Sequence, residues 1–445
     1  MSHPLHKIAL AAILGFCTAV PIGIFATHYT AAQDNLTNSE SAILQTLDGD
    51  QIYNHINTLS KTPRVAGTKQ EDAAATYIKK QFESYGYKTE LQSFTFTDYT
   101  KPHTVELTLN HVTKSVKPLA FEFSVNGYAT GEVISAGLGT VDELQNLDVV
   151  GKIVLLKRGG ISFVEKARNA SSKGAVGVII YNNDDKKIFG SLGAENKIHV
   201  PAVLLTKAEG VVLENLIINK PGTKATIKIV GAQSKSNISQ NVIATKKPSS
   251  LNKTAKNDVV VISSHYDSVE GAPGANDNAS GTAMTIELAR VLKTIPTDTE
   301  IRFISFGAEE AGLVGSTHYV ESLSKNEISR IVANFNLDMV GSKDSGELVL
   351  QTVDDKPNLV TELAQEASKK LNGQATPFTQ GDSSDHVPFA NAGIPAALFI
   401  HSPPEPWYHQ PQDTIDKISK TKLQDVAEIV SVAVWNLVRI DSQVK

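Results

Sequence analysis

From Ser236 onward the chain alternates uniformly apolar runs with stretches whose apolar residues recur at helical spacing: "DVVVISS", "GTAMTIELARVLK", "EIRFISFG", "IVANFNLDMVG", "NLVTELAQEASKKL" and "PAALFI". A strand that is apolar at every position, not at every second one, has both faces covered. Such strands, separated by helices, predict an α/β fold with a mostly parallel-stranded mixed sheet flanked by helices. Upstream, the stretch from Glu71 to Tyr85 sets Ala74, Tyr77, Ile78 and Phe82 at helical spacing, and Gly86 ends it before the strand-like "YKTELQSFTF". Between 111 and 236 the texture changes to short β-rich runs with many glycines, among them "GEVISAG", "VGKIVLLKRG", "AVGVIIYN" and "KATIKIVG". The segments on either side, 33–110 and 237–445, read as parts of one unit, so 111–236 is expected to be an inserted β-rich domain.

The first 32 residues follow a different pattern. Lys7 precedes an uncharged apolar run from Ile8 to Thr27, broken only by Pro21, and the small residues Ala31 and Ala32 come after it. This reads as an export leader cut after Ala32, giving a secreted, extracellular protein; retention in the bilayer as a surface anchor is the alternative. The only cysteine, Cys17, lies within the run behind Phe16, too large for the small residue that lipoprotein processing usually wants. The mature protein therefore holds no disulfide and depends on core size and metal for stability.

Composition narrows the function classes further. At 445 residues the chain is long enough for a large enzyme core and a second module. With 41% hydrophobic and 20% charged residues it is neither disordered nor a polytopic membrane protein. A net charge of -5, with no run of Lys or Arg standing out, excludes an electrostatic footprint for nucleic acid.

In a mostly parallel sheet the chemistry collects beyond the carboxyl ends of the strands. His265 ends "VVVISSH", Glu309 and Glu310 follow "IRFISFGA", and Asp338 ends "VANFNLD". Each is a residue type that binds metal or moves protons. Asp277, in the glycine-rich "GAPGANDNASGTA", would by itself serve as a helix N-cap; beside the others it reads as a carboxylate shared by two cations. A hydrolytic metal site needs a carboxylate ligand and a second carboxylate to accept a proton from the attacking water. The adjacent pair divides these roles, Glu309 as general base and Glu310 as ligand. His409 lies in the proline-rich loop "PPEPWYHQPQDTID" after the last strand, next to Trp407 and Tyr408. Imidazole and carboxylate donors suit zinc, and a shared Asp277 gives each of two ions one His, one further carboxylate and the bridge. A water between ions roughly 3.5–4 Å apart becomes nucleophilic near neutral pH.

The spaced strings "SHYDS", "GANDNASG", "GAEEAGLVGS", "NLDMVG" and "WYHQPQDT" resemble the co-catalytic zinc aminopeptidases of metallopeptidase family 28. The segment "VGKIVLLKRGGISFVEKARNASSKGAVGVIIYN" resembles the protease-associated (PA) domain carried by the bacterial extracellular members. The resemblance covers most of the mature chain. It implies His265 and Asp338 on one zinc, Glu310 and His409 on the other, Asp277 between them and Glu309 as base. It also implies Asp267 as the carboxylate that orients His265, Tyr408 as donor to the developing oxyanion, and a cis Asp277–Asn278 peptide. "GDSSDHVPFANAGIPA" is similar to the family's Ser-Asp-His segment, so Asp385 and His386 are expected to brace the substrate pocket. Ser383 and Ser384 stand near where some relatives have a substrate-binding Arg.

The implied activity is removal of the N-terminal residue from peptides or proteins with a free N-terminus. A related carboxypeptidase is one alternative, although only a short tail follows His409. A non-catalytic surface receptor on the same scaffold is another, although such relatives have lost ligands that are all present here. A glutaminyl cyclase, with one zinc, would not need the full donor set.

Overall fold

The computed structural model describes residues 36–110, 116–185, 190–194, 197–249 and 257–440. The expected leader, residues 1–32, and the boundary placed at residue 111 lie outside them. Two compact units emerge, one from the residues up to Gln92 together with those from Gln240 onward, the other from Ser93–Ser239.

The first unit is built on an eight-stranded sheet in the order Lys88–Thr100, Gln233–Lys246, Glu300–Phe306, Val259–His265, Ile331–Leu337, Ala396–Ser402, Glu347–Thr352, Phe378–Gln380. Val259–His265 pairs in parallel with both Glu300–Phe306 and Ile331–Leu337, and the latter pairs in parallel with Ala396–Ser402. Antiparallel pairings flank this parallel centre, so the sheet is mixed, as the apolar runs predict.

Every residue of Val259–His265 is buried, because alternate side chains enter different cores. Val260 and Ile262 pack with Phe303, Phe335 and Phe399 under the helices Gly49–Leu59, Lys69–Ser84, Gly281–Leu292, Leu359–Asn372 and Lys420–Val438. Val259 and Val261 pack on the opposite face with Ile304, Phe306, Tyr319 and Phe389, the last two from the helices Val314–Ser322 and His386–Asn391. Phe335 and Phe399 stack across adjacent parallel strands with centroids 6.0 Å apart. Full burial of one such side chain contributes about 1.5–3 kcal/mol. These two cores hold the strand ends, and with them the site, at fixed depth.

The second unit has a seven-stranded sheet with separate apolar cores, one containing Val154, Leu156, Val178 and Ile180 and the other Ile153, Leu155, Ile179 and Val203. The helices Phe163–Ser172 and Lys207–Asn219 accompany it. Lys166 is fully buried and donates to the carbonyls of Leu138 (2.5 Å) and Gly159 (2.6 Å), which satisfies its ammonium without a carboxylate. Among the described residues no helix is long and apolar enough to cross a membrane.

Candidate active site

Four donors arrive from the ends of the central parallel strands. His265 closes one strand, Asp338 follows the end of its neighbour, and Glu309 and Glu310 come just after Phe306. Asp277 and His409 come from loops. Arg64, 1% exposed, holds the loop that leads to Asp277. Its guanidinium donates to the carbonyls of Tyr266 (2.6 Å), Leu59 (3.0 Å), Pro273 (2.6 Å) and Gly274 (2.9 Å). Gly274 sits at φ 63, and a Cβ there would lie 2.2 Å from the Asp277 carbonyl, so only glycine fits this turn. The Asp277–Asn278 peptide bond is cis.

The five sequence-predicted ligands converge. His265 Nε2 lies 3.4 Å from Asp277 Oδ1 and 3.3 Å from Asp338 Oδ1. His409 Nε2 lies 3.1 Å from Asp277 Oδ2 and 3.1 Å from Glu310 Oε2. The two oxygens of Asp277 thus face two different donor groups, His265 with Asp338 and His409 with Glu310, and each trio has the span of a metal shell. Glu309 Oε2 is 3.9 Å from His265 Nε2.

Asp267 is fully buried, and its two oxygens accept the backbone N–H groups of Glu309 and Glu310, each at 3.1 Å. His265 Nδ1 is 3.5 Å from Asp267 Oδ1, too far for a good hydrogen bond, so the carboxylate's main hold is on the glutamate pair. Tyr408 is 43% exposed and stacks on the His409 ring with centroids 3.9 Å apart. Burial, then the negative charges of Asp277 and Glu310, push its hydroxyl pKa up, which keeps it a donor.

The electrostatics of the cluster call for cations. Burial, with the charge of Asp277 beside it, raises Glu310 to about 7. Burial also pushes Glu309 well above the usual carboxylate range, and Asp385 up to about 7. Asp277 is held low, against the same burial, by the two histidines it faces. His409, although burial opposes its charge, is drawn up to about 10 by Asp277 and Glu310. Yet His409 Nε2 and Glu310 Oε1 are buried without a hydrogen bond of good geometry. Carboxylates crowded around two imidazole nitrogens, with His265 Nε2 in contact with Asp338 and His409 Nε2 left unpaired, fit a divalent zinc shell.

A cavity of about 510 Å³ opens beside these donors, with Leu313, Met339, Gln351, Leu398 and Ile400 in its wall. Asp385 and His386 are fully buried behind it, and His386 Nε2 donates to the Gly381 carbonyl at 2.9 Å. Ser384 Oγ donates to Asp338 Oδ2 at 2.8 Å, while Ser383 is exposed. Sequence reasoning missed Arg64, this contact of Ser384, and Asn278, whose side chain bonds Leu337 O and the Gly281 N–H. Arg64 stands in "PRVAGT" with no spacing pattern that ties it to a loop two hundred residues away.

The profile of peptidase family M28 matches residues 241–434 and that of the PA domain matches residues 122–213. The chain is 37% identical over 454 residues to Aminopeptidase YwaD of Bacillus subtilis (strain 168), an alignment that covers 99% of this chain and 96% of that protein. It is similar to the solved aminopeptidase from Aneurinibacillus sp. strain AM-1, at 50% identity and TM-score 0.83, over 91% of this chain and 98% of that one. It is also similar to BSAP, a zinc aminopeptidase from Bacillus subtilis, at 39% identity and TM-score 0.62, over 90% of this chain and 97% of that one.

Proposed function

Because the chain belongs to peptidase family M28 and carries a PA domain, we propose that it is a zinc aminopeptidase that releases the N-terminal residue of peptides at a two-metal site. The observation that carries this reading is the division of Asp277, one oxygen toward His265 and the other toward His409. His265 and Asp338 would hold one ion, Glu310 and His409 the other, with Asp277 common to both. Bound there, zinc supplies Lewis acidity, making a water nucleophilic near neutral pH and polarising the scissile carbonyl.

The chain's own residues do the rest. Glu309, whose backbone N–H is tied to Asp267, accepts the proton of the attacking water and returns it to the leaving amine. Tyr408 offers its phenol hydrogen to the oxyanion. The apolar cavity wall receives the side chain of the departing residue. The nearly full-length similarity to proteins named aminopeptidase supports this reading over a carboxypeptidase or a receptor. The insertion expected over 111–236 lies within the compact unit Ser93–Ser239, which carries the PA match at 122–213 and takes in residues 93–110 as well. The peptidase domain therefore comprises the residues on either side of that unit, and residues 1–32 are read as directing secretion. Partners are peptides or proteins with a free N-terminus.

The test uses an aminoacyl chromogenic substrate and its N-acetylated counterpart. Chelation abolishes hydrolysis of the first and zinc restores it, while the second stays uncleaved throughout. Efficient cleavage of the blocked substrate, or activity indifferent to chelators, overturns the reading.

A further inference from the structure

Asp277 and His409 are the two proposed ligands that no strand supports, and the loops carrying them are far apart in sequence. One buried residue, Asp413, joins them. Its backbone carbonyl accepts the N–H of Ala275 (3.2 Å), its Oδ1 that of Asn276 (2.8 Å) and its Oδ2 that of Asp277 (3.0 Å). Three successive amides thus wrap around one residue of the His409 loop.

A second tie lies at the other end of that loop. Asn276 Nδ2 donates to both oxygens of Glu405, at 2.9 and 3.0 Å, and Asn276 Oδ1 accepts the N–H of Gly341 at 2.8 Å. Asp413, Glu405 and Asn276 are each at most 2% exposed. Between the two ties, Tyr408 N–H donates to Glu405 O, Gln410 N–H to Trp407 O and Asp413 N–H to Gln410 O. His409 itself sits at φ 58, a left-handed conformation that a residue with a Cβ holds only when its surroundings impose it. Both carboxylates face donors of the Asp277 loop.

We propose that Asp413 and Glu405 are positioning residues that lock the loop-borne ligands Asp277 and His409 into one frame, so that the shell of the ion at His409 is preformed. This rests on the two-ion reading above. Neither residue touches the reacting atoms; each acts through the placement of a ligand. A preformed shell binds metal without first ordering two loops, and loss of such supports typically weakens metal affinity about 10–100-fold.

The experiment takes the full chain, parent and the variants Asp413→Asn and Glu405→Gln, through a series of free-zinc buffers. Zinc per chain and amide hydrogen exchange of residues 275–277 are both measured, the latter also on metal-free protein. In the parent, two ions are retained and these amides exchange slowly with or without metal. In the variants, the ion at His409 weakens about 10–100-fold, the other, which shares Asp277 but is also held from the strand ends, weakens less, and the amides exchange faster. Turnover lost at low zinc returns at high zinc, which a misfolded protein would not show. Should Asp413→Asn fail to fold, Glu405→Gln, which keeps size and shape, carries the test. Variants that bind both ions as the parent does with unchanged exchange, or that lose both in parallel, overturn the proposal. A parent that takes up fewer than two ions refutes the two-ion reading instead, and the exchange comparison then decides alone whether the frame exists.

Discussion

Gly281 opens the helix that follows Asp277, and replacing it with alanine strikes the site through the backbone. A Cβ at this position would lie 2.1 Å from the Leu337 carbonyl oxygen and 2.6 Å from Asn278 Oδ1. Both are held: Leu337 O accepts from Asn278 Nδ2 at 2.9 Å, and Asn278 Oδ1 accepts the Gly281 N–H at 2.9 Å. Carbon and oxygen need more than 3 Å, so the helix start and the strand end must separate by about 1 Å in a close-packed interior. Asp277 lies on one side of that gap and Asp338 on the other. A misplacement of about 1 Å costs on the order of 10²-fold in rate. Overpacking costs about 1–3 kcal/mol, against a gain of about 1 kcal/mol that alanine normally brings to a helix. Gly281→Ala is therefore expected to lose kcat/KM by about 10²-fold on zinc-saturated enzyme and to unfold at lower denaturant. Gly373→Ala is the control: its φ is 78 but no atom lies within 4 Å, so it costs about 1 kcal/mol and leaves turnover unchanged. A Gly281→Ala protein as stable and as active as the parent would refute the reasoning.

Glu309→Gln keeps the shape of the side chain and removes the proton acceptor, so zinc content should stay at the parent value while kcat falls about 10²–10⁴-fold; near-parent turnover in a steady-state assay removes Glu309 as the base. Arg64→Lys replaces a planar fork that reaches four carbonyls with a point charge that cannot. Denaturant unfolding of the metal-free protein should show a loss of about 2–4 kcal/mol, and an unchanged midpoint would mean that the four bonds do not hold the loop.

What could be read from sequence follows the chemistry of each element. The central strands were legible because two covered faces leave no polar position, as at Val259–Ile262, all fully buried. His265, Glu309, Glu310 and Asp338 were legible because strand ends are where such a sheet exposes chemistry. Asp267 was only half legible: the family resemblance implied a partner for His265, but its oxygens serve two backbone amides, and a backbone amide has no letter in the sequence. The same blindness hides Arg64, Asp413 and much of Asn278, whose partners are main-chain carbonyls and N–H groups.

This difference sorts the site by the rigidity of its supports. The proposed ligands at strand ends, His265 and Asp338, take their depth from the two apolar cores, with Ser384 adding one bond to Asp338. Ligands on loops inherit nothing, since a loop's backbone groups must find partners case by case. Asp277 and His409 therefore depend on a buried guanidinium on one side and buried carboxylates on the other, each satisfying main-chain groups that would otherwise cost free energy unpaired. The guanidinium also offsets part of the excess negative charge: burial lowers Arg64 to about 10, against the pull of Asp267, Asp413 and Asp277, which leaves it charged at neutral pH. The guanidinium alone does not neutralise the carboxylates around it, and divalent ions at the two trios would supply the remaining positive charge.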